Sequence, residues 1–203
     1  PDFNKSSASM CVDAGSLQDP ENRQGLAHFL EHMLFLGTEK YPDVDEYSTY
    51  LRNNGGMSNA YTAGDHTNYQ FQVFPNAFEG ALDRFAQFFI APLFTAKYTD
   101  REKNAVHSEY QKNKMNDNWR EQQIIFSFVR EGHPQRKFNI GNLETLGDIK
   151  REELLESAKK VFDAVLSGKF KIEISKKYSL DEVKQAHQDL EGRLLTGPAV
   201  IIP

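Results

Sequence analysis

The chain has 203 residues, 39% of them hydrophobic and 26% charged, enough to bury a core in one or two domains. Its 24 Lys+Arg against 29 Asp+Glu leave a net charge of −5, which excludes a uniformly basic nucleic-acid coat protein. No apolar run approaches the roughly 20 residues that cross a bilayer, so neither nucleic acid nor membrane is an expected partner. In chain order, residues 7–12 predict a strand, because Ala8, Met10 and Val12 alternate with Ser9 and Cys11. Residues 25–36 predict a helix with an apolar stripe of Leu26, Phe29, Leu30, Met33 and Leu34. A second helix over 44–52 should stop at Asn53-Asn54-Gly55-Gly56. Strands follow over 57–62 and 67–74, the latter alternating Tyr69, Phe71 and Val73 with Gln70 and Gln72. Helical spacing returns over 76–90, then over 99–116, with Asp100 and Glu102 expected in the first turn of that helix, and again over 120–129. The last quarter predicts a helix over 151–166, a strand over 170–175, a helix over 179–190 opened by a Ser179/Glu182 capping box, and a strand over 199–202.

Composition shifts along the chain. Residues 1–152 hold 13 of the 15 Phe, the single Trp and all of the net charge, which predicts a boundary near residue 155. Pro1-Asp2-Phe3-Asn4-Lys5 has no basic or apolar leader and no initiator Met, as expected of a piece excised from a longer protein. Lone Cys11 permits no internal disulfide and fits a reducing compartment; the cytoplasm is favoured, with the periplasm open if a signal has been removed.

The sharpest motif is His28-Phe29-Leu30-Glu31-His32 inside the first predicted helix. Residues four apart lie on one helix face about 5–6 Å apart at Cβ, close enough for two imidazoles to hold one metal ion. The run inverts the His-Glu-x-x-His motif of zinc peptidases, in which the Glu is a base rather than a ligand. Taken alone, the pentapeptide is equally compatible with two ordinary surface or core histidines. A catalytic zinc needs a third ligand, and Glu109 is available with Glu102 two turns earlier on the same face of its helix, an arrangement that a plain solvated face also produces.

The segments Gly25-Leu26-Ala27-His28-Phe29-Leu30-Glu31-His32-Met33, Gly55-Gly56 with Ser58-Asn59-Ala60, Arg101-Glu102-Lys103-Asn104-Ala105-Val106 with Ser108-Glu109, and Gly141-Asn142-Leu143-Glu144-Thr145-Leu146 occur in this order. Together they closely resemble the pitrilysin and insulin-degrading enzyme (insulysin) family of zinc metallopeptidases over residues 1–155. The resemblance implies an α+β fold, with an antiparallel-rich sheet packed with helices, as a partial inverzincin peptidase domain. It implies a Zn²⁺ site ligated by His28, His32 and Glu109, with Glu31 as general base and Glu102 as a carboxylate behind the ligands. Ser58, Asn59 and Ala60 match the edge strand that docks the substrate backbone, and Phe35, Tyr61 and Trp119 match aromatic positions lining the cleft, the alternative for these three being plain core aromatics. A peptide substrate and a second peptidase half, closing like a clamshell, are the implied partners.

Residues 156–203 depart from that pattern and resemble the C-terminus of zinc-less quinone oxidoreductases, through Phe162-Asp163-Ala164-Val165-Leu166-Ser167-Gly168-Lys169, Ala186-His187-Gln188-Asp189-Leu190-Glu191 and Thr196-Gly197-Pro198. This predicts a short α/β tail joined near 153–158, as in a fused reading frame. No Gly-x-Gly-x-x-Gly follows a predicted strand, so NADPH chemistry has little support. Two competing functions stay open: a noncatalytic binding or structural module that keeps the peptidase fold, and the remnant of a quinone oxidoreductase fusion.

Overall fold

A computed structural model describes residues 4–166, 176–192, 194 and 199–202. The chain divides into two units, Pro1–Phe162 and Asp163–Pro203. The first holds an antiparallel sheet of three strands, β1 (Ser6–Val12), β2 (Met57–Thr62) and β3 (Thr67–Val73), in the order β1-β3-β2. Register pairs Ala8 and Ser58 with Phe71, and Met10 and Ala60 with Tyr69. Tyr69, Phe71 and Val73 therefore point to one face and are buried, while Gln70 on the opposite face is exposed, the outcome that strict alternation dictates. Among the described residues, β2 is an edge strand paired only with β3.

The helices are α1 (Leu26–Leu34), α2 (Glu46–Asn53), α3 (Phe78–Ile90), α4 (Ala96–Asn113), α5 (Asp117–Ser127) and the short α6 (Leu143–Leu146), followed by α7 (Arg151–Leu166). Of these, α1, α2 and α3 pack against the sheet. All five stripe residues of α1 are buried, and Phe29 and Met33 have no exposed surface. Burial of each such side chain contributes roughly 1.5–3 kcal/mol. Behind them Phe71, Phe85, Phe88, Phe89 and Tyr47 make edge-on and tilted ring contacts that join α2 and α3 to the sheet. The predicted stop after α2 is real: Gly55 adopts φ 64°, and the N–H groups of Gly55 and Gly56 return to the carbonyls of Arg52 and Leu51.

Two expectations are corrected. Helix α4 begins at Ala96, because Tyr98 and Thr99 N–H already bond to the carbonyl of Thr95, so Asp100 and Glu102 lie beyond the first turn and owe nothing to the helix dipole. Helix α5 begins at Asp117, where the Asn116 side chain accepts the N–H of Asn118, three residues before the apolar spacing shows it.

In the second unit, β4 (Lys176–Ser179) pairs in parallel with β5 (Ala199–Ile202), and α8 spans Val183–Glu191. The Ser179 N–H donates to Glu182 Oε2 at 2.8 Å, but Ser179 closes β4 and α8 starts at Val183, so the helix expected from 179 begins four residues later, after a 3₁₀ turn over Leu180–Glu182. The predicted strand over 170–175 lies outside the described residues.

Candidate metal centre

Helices α1 and α4 build the centre from two independent periodicities. On α1, His28 and His32 are one turn apart, about 100° around the helix from the fully buried Phe29 and Met33 that follow them. On α4, Thr99, Glu102, Val106 and Glu109 follow helical spacing along one face; Thr99 and Val106 are buried, which fixes the rotation of the helix and turns the two carboxylates toward α1. The imidazoles meet edge to face, with ring centroids 4.8 Å apart.

Three donor atoms converge. His28 Nε2 and His32 Nε2 are 3.3 Å apart, and Glu109 Oε2 lies 3.5 Å from the first and 3.7 Å from the second. Tetrahedral metal–ligand bonds of about 2.0–2.2 Å place neighbouring donors about 3.3–3.6 Å apart, so this triangle has the size of three corners of such a shell. Each imidazole is oriented from behind. His28 Nδ1 donates to the carbonyl of Ile140 at 2.7 Å, and His32 Nδ1 lies 3.3 Å from Glu102 Oε2, which leaves both Nε2 atoms directed inward.

The local field favours a cation. Burial opposes charge on His32, but its hydrogen bonds to the accepting carboxylates of Glu102 and Glu109 and the nearby Glu31 carboxylate outweigh it and lift the imidazole to about 9. The same hydrogen bond to His32, working against burial, holds each of Glu102 and Glu109 below the usual carboxylate range. Three carboxylates around two facing imidazole nitrogens attract a proton or, in its place, a divalent metal ion. Among the described residues His28, His32 and Glu109 form the group able to hold one.

Glu31 stands outside that triangle. It is 9% exposed, and its Oε2 accepts the Thr62 hydroxyl at 2.6 Å, which fixes the carboxylate against the end of β2. Glu31, His28, His32 and Glu109 line one cavity of about 300 Å³, together with Ala60, Tyr61, Thr62, Trp119, Asn139 and Ile140. Trp119, Asn139 and Ile140 also border a groove of about 720 Å³ beside α5.

The remaining predicted residues separate. Ala60, Tyr61 and Trp119 reach the metal cavity. Ser58 and Asn59 are on the same strand but border a second concavity on the sheet, with Ser7 and Gln72. Phe35 does not line the metal cavity: its ring packs within 5.1–6.3 Å of Phe88, Tyr69 and Tyr47, because it follows directly on the buried end of α1. Thr62, Ile140 and Arg101, whose Nε donates to Glu102 Oε1 at 3.0 Å, are contributors that the sequence reading missed. Arg101 is adjacent to Glu102 and was findable; the Ile140 contribution is a backbone carbonyl and has no side-chain signal.

The fold and the site thus define a helix-borne group of two His and one Glu able to hold a metal ion, beside the edge strand β2. Residues 1–137 match the model of the insulinase family (peptidase family M16), and the chain belongs to that family. It is 56% identical over 146 residues to human insulin-degrading enzyme, a match covering 72% of this chain and 14% of that protein. The insulin-degrading enzyme of Drosophila melanogaster is 47% identical over 191 residues, covering 91% of this chain and 19% of that protein. A crystal structure of pitrilysin superposes with a TM-score of 0.74 at 39% identity, over 79% of this chain and 18% of that one. The chain spans under a fifth of the length of these relatives. The oxidoreductase resemblance of the tail gains no support, and an alignment covering 91% of the chain extends well past Ala158 into it.

Proposed function

We propose that this chain carries the metal-bearing part of a zinc metalloendopeptidase that hydrolyses peptide bonds in oligopeptides or small proteins. The observation that supports this most directly is the donor triangle of His28, His32 and Glu109, with Glu31 in the wall of the same cavity but outside the ligand set. Two imidazoles and one carboxylate with a fourth position free is a donor set of catalytic zinc. Zinc bound there would lower the pKa of its water to about 7 and polarise the scissile carbonyl.

The protein's own groups then have separable tasks. Glu31 takes the proton from the attacking water on its carboxylate and passes it to the leaving amine, and the hydroxyl of Thr62 keeps that carboxylate in place. Glu102 holds His32, and the carbonyl of Ile140 holds His28, in the orientation that directs Nε2 inward. The edge strand β2, around Ser58, Asn59 and Ala60, offers backbone N–H and C=O groups to an extended peptide, with Tyr61 and Trp119 flanking it. The human and fly relatives are named for degrading insulin, which favours a polypeptide substrate. A second peptidase half, or the full-length frame, is the partner that would confine the peptide over the cavity.

Elemental analysis of the folded 203-residue chain, with and without Glu109→Gln, tests the centre. The expected result is close to one zinc per chain, lost on substitution of Glu109 and kept in Glu31→Gln. Cleavage of short fluorogenic peptides by this chain alone should be weak and should rise sharply when the remaining frame is restored, because positioning contributes several orders of magnitude to rate. Folded protein without zinc, showing no gain in thermal midpoint on zinc addition, would remove the proposal.

A further inference from the structure

Asp19 is a buried carboxylate, 4% exposed, that lies outside the metal cavity and has no part in the scheme above. Its two oxygens are used separately. Oδ2 accepts the N–H of Gly25 at 2.8 Å and Oδ1 the N–H of Ala27 at 2.9 Å, so it caps the first turn of α1 from six residues upstream. That cap is needed because the residue at the N-cap position is Gly25, which has no side chain of its own. Nor can Gly25 readily be exchanged: it sits at φ 89°, and a Cβ there would stand 2.2 Å from Gly141 Cα.

The backbone of Asp19 works in the other direction. Its carbonyl, with that of Leu17, accepts from Lys137 Nζ at 2.6 and 3.0 Å. Gln24 Oε1 accepts the Phe138 N–H at 2.7 Å, and two residues on, the Ile140 carbonyl receives His28 Nδ1. One residue thus fixes both the helix that carries His28 and the strap that orients its ring. Burial pushes the Asp19 carboxyl up to about 6, against the N–H bonds of Ala27 and Gly25 and the charge of Lys137, so at neutral pH it is ionised and able to accept both bonds.

We infer that Asp19 is a positioning residue for His28, acting on the metal centre through the first turn of α1 and the Lys137–Ile140 strap without touching the metal. The inference rests on the metal-centre reading. Its test is zinc affinity of the 203-residue chain, measured by competition with a chromophoric chelator, together with the visible spectrum of the Co²⁺-loaded protein. The variants are Asp19→Ala and Asp19→Asn, with His28→Ala as the ligand control and Leu51→Ala, in the core of α2, as a control for general destabilisation.

Asp19→Ala should bind zinc about 10–100-fold more weakly per folded chain and shift the Co²⁺ bands, and Asp19→Asn, which keeps one acceptor, should fall between it and wild type. Leu51→Ala should lose stability and keep its affinity. Variants that stay folded and bind within about twofold of wild type, well inside the loss typical of outer-shell partners, would overturn the inference. So would zinc loss that only tracks the folded fraction by circular dichroism, as for Leu51→Ala. If wild type and His28→Ala alike take up no zinc, the metal reading itself fails and this inference with it.

Discussion

Helices α4 and α5 follow one another in the chain, and both carry apolar residues, yet they are held in different ways. Helix α4 buries Thr99 and Val106 and so presents Glu102 and Glu109 to the histidines of α1. Helix α5 buries none of its residues, and Ile124 and Ile125 are more than half exposed. It contributes Trp119 to the rim of the cavity and nothing to the donor triangle. The chemistry is therefore confined to elements whose rotation is fixed by packing, as a site that must hold donors to a few tenths of an ångström requires.

The contrast can be broken by substitution. Glu31→Gln on α1 should reduce any peptidase rate by about 10²–10⁴-fold with zinc retained, whereas Trp119→Ala on α5 should leave zinc content unchanged. Rate assays with elemental analysis decide between them, and a Glu31→Gln protein that emptied of zinc would show Glu31 to be a ligand. Next in size is Met33→Ala, which opens a cavity in the core beside α1 and should cost about 2–5 kcal/mol in urea unfolding.

Anchoring of α1 has a smaller, pH-dependent signature. Burial raises Asp19 in the fold from 3.8 to about 6. A raised carboxyl favours the folded state while it is protonated, so its contribution is present below pH 4 and is lost as pH rises through 6. The difference in unfolding free energy between wild type and Asp19→Asn should fall by on the order of 3 kcal/mol across that window. A flat difference from pH 4 to 7 would show that Asp19 titrates alike in both states. The smallest effect is expected for Ile124→Ala on α5, within about 0.5 kcal/mol of wild type, since an exposed side chain has little burial to lose. A larger loss would show that α5 is packed after all.

The sequence by itself determined the local order of this protein. Period-two alternation placed β3, expected over 67–74 and found at Thr67–Val73, period 3.6 placed the stripe of α1, and spacings of four and seven put His28 with His32 and Glu102 with Glu109 on common faces. Such patterns are legible because a helix or strand repeats at fixed intervals whatever surrounds it. Tertiary structure alone decided the rest. The start of α5 at Asp117 depends on the side-chain cap of Asn116, and that of α4 at Ala96 on backbone bonds to Thr95 formed before the apolar pattern begins. Phe35 went into the aromatic core because the end of α1 points there. The hydroxyl of Thr62 against Glu31, the carbonyl of Ile140 against His28 and the carboxylate of Asp19 under α1 join residues between 6 and 112 positions apart. No local period records such contacts; they exist only once the core has closed around Phe29, Met33 and Val106 and fixed how α1 and α4 face each other.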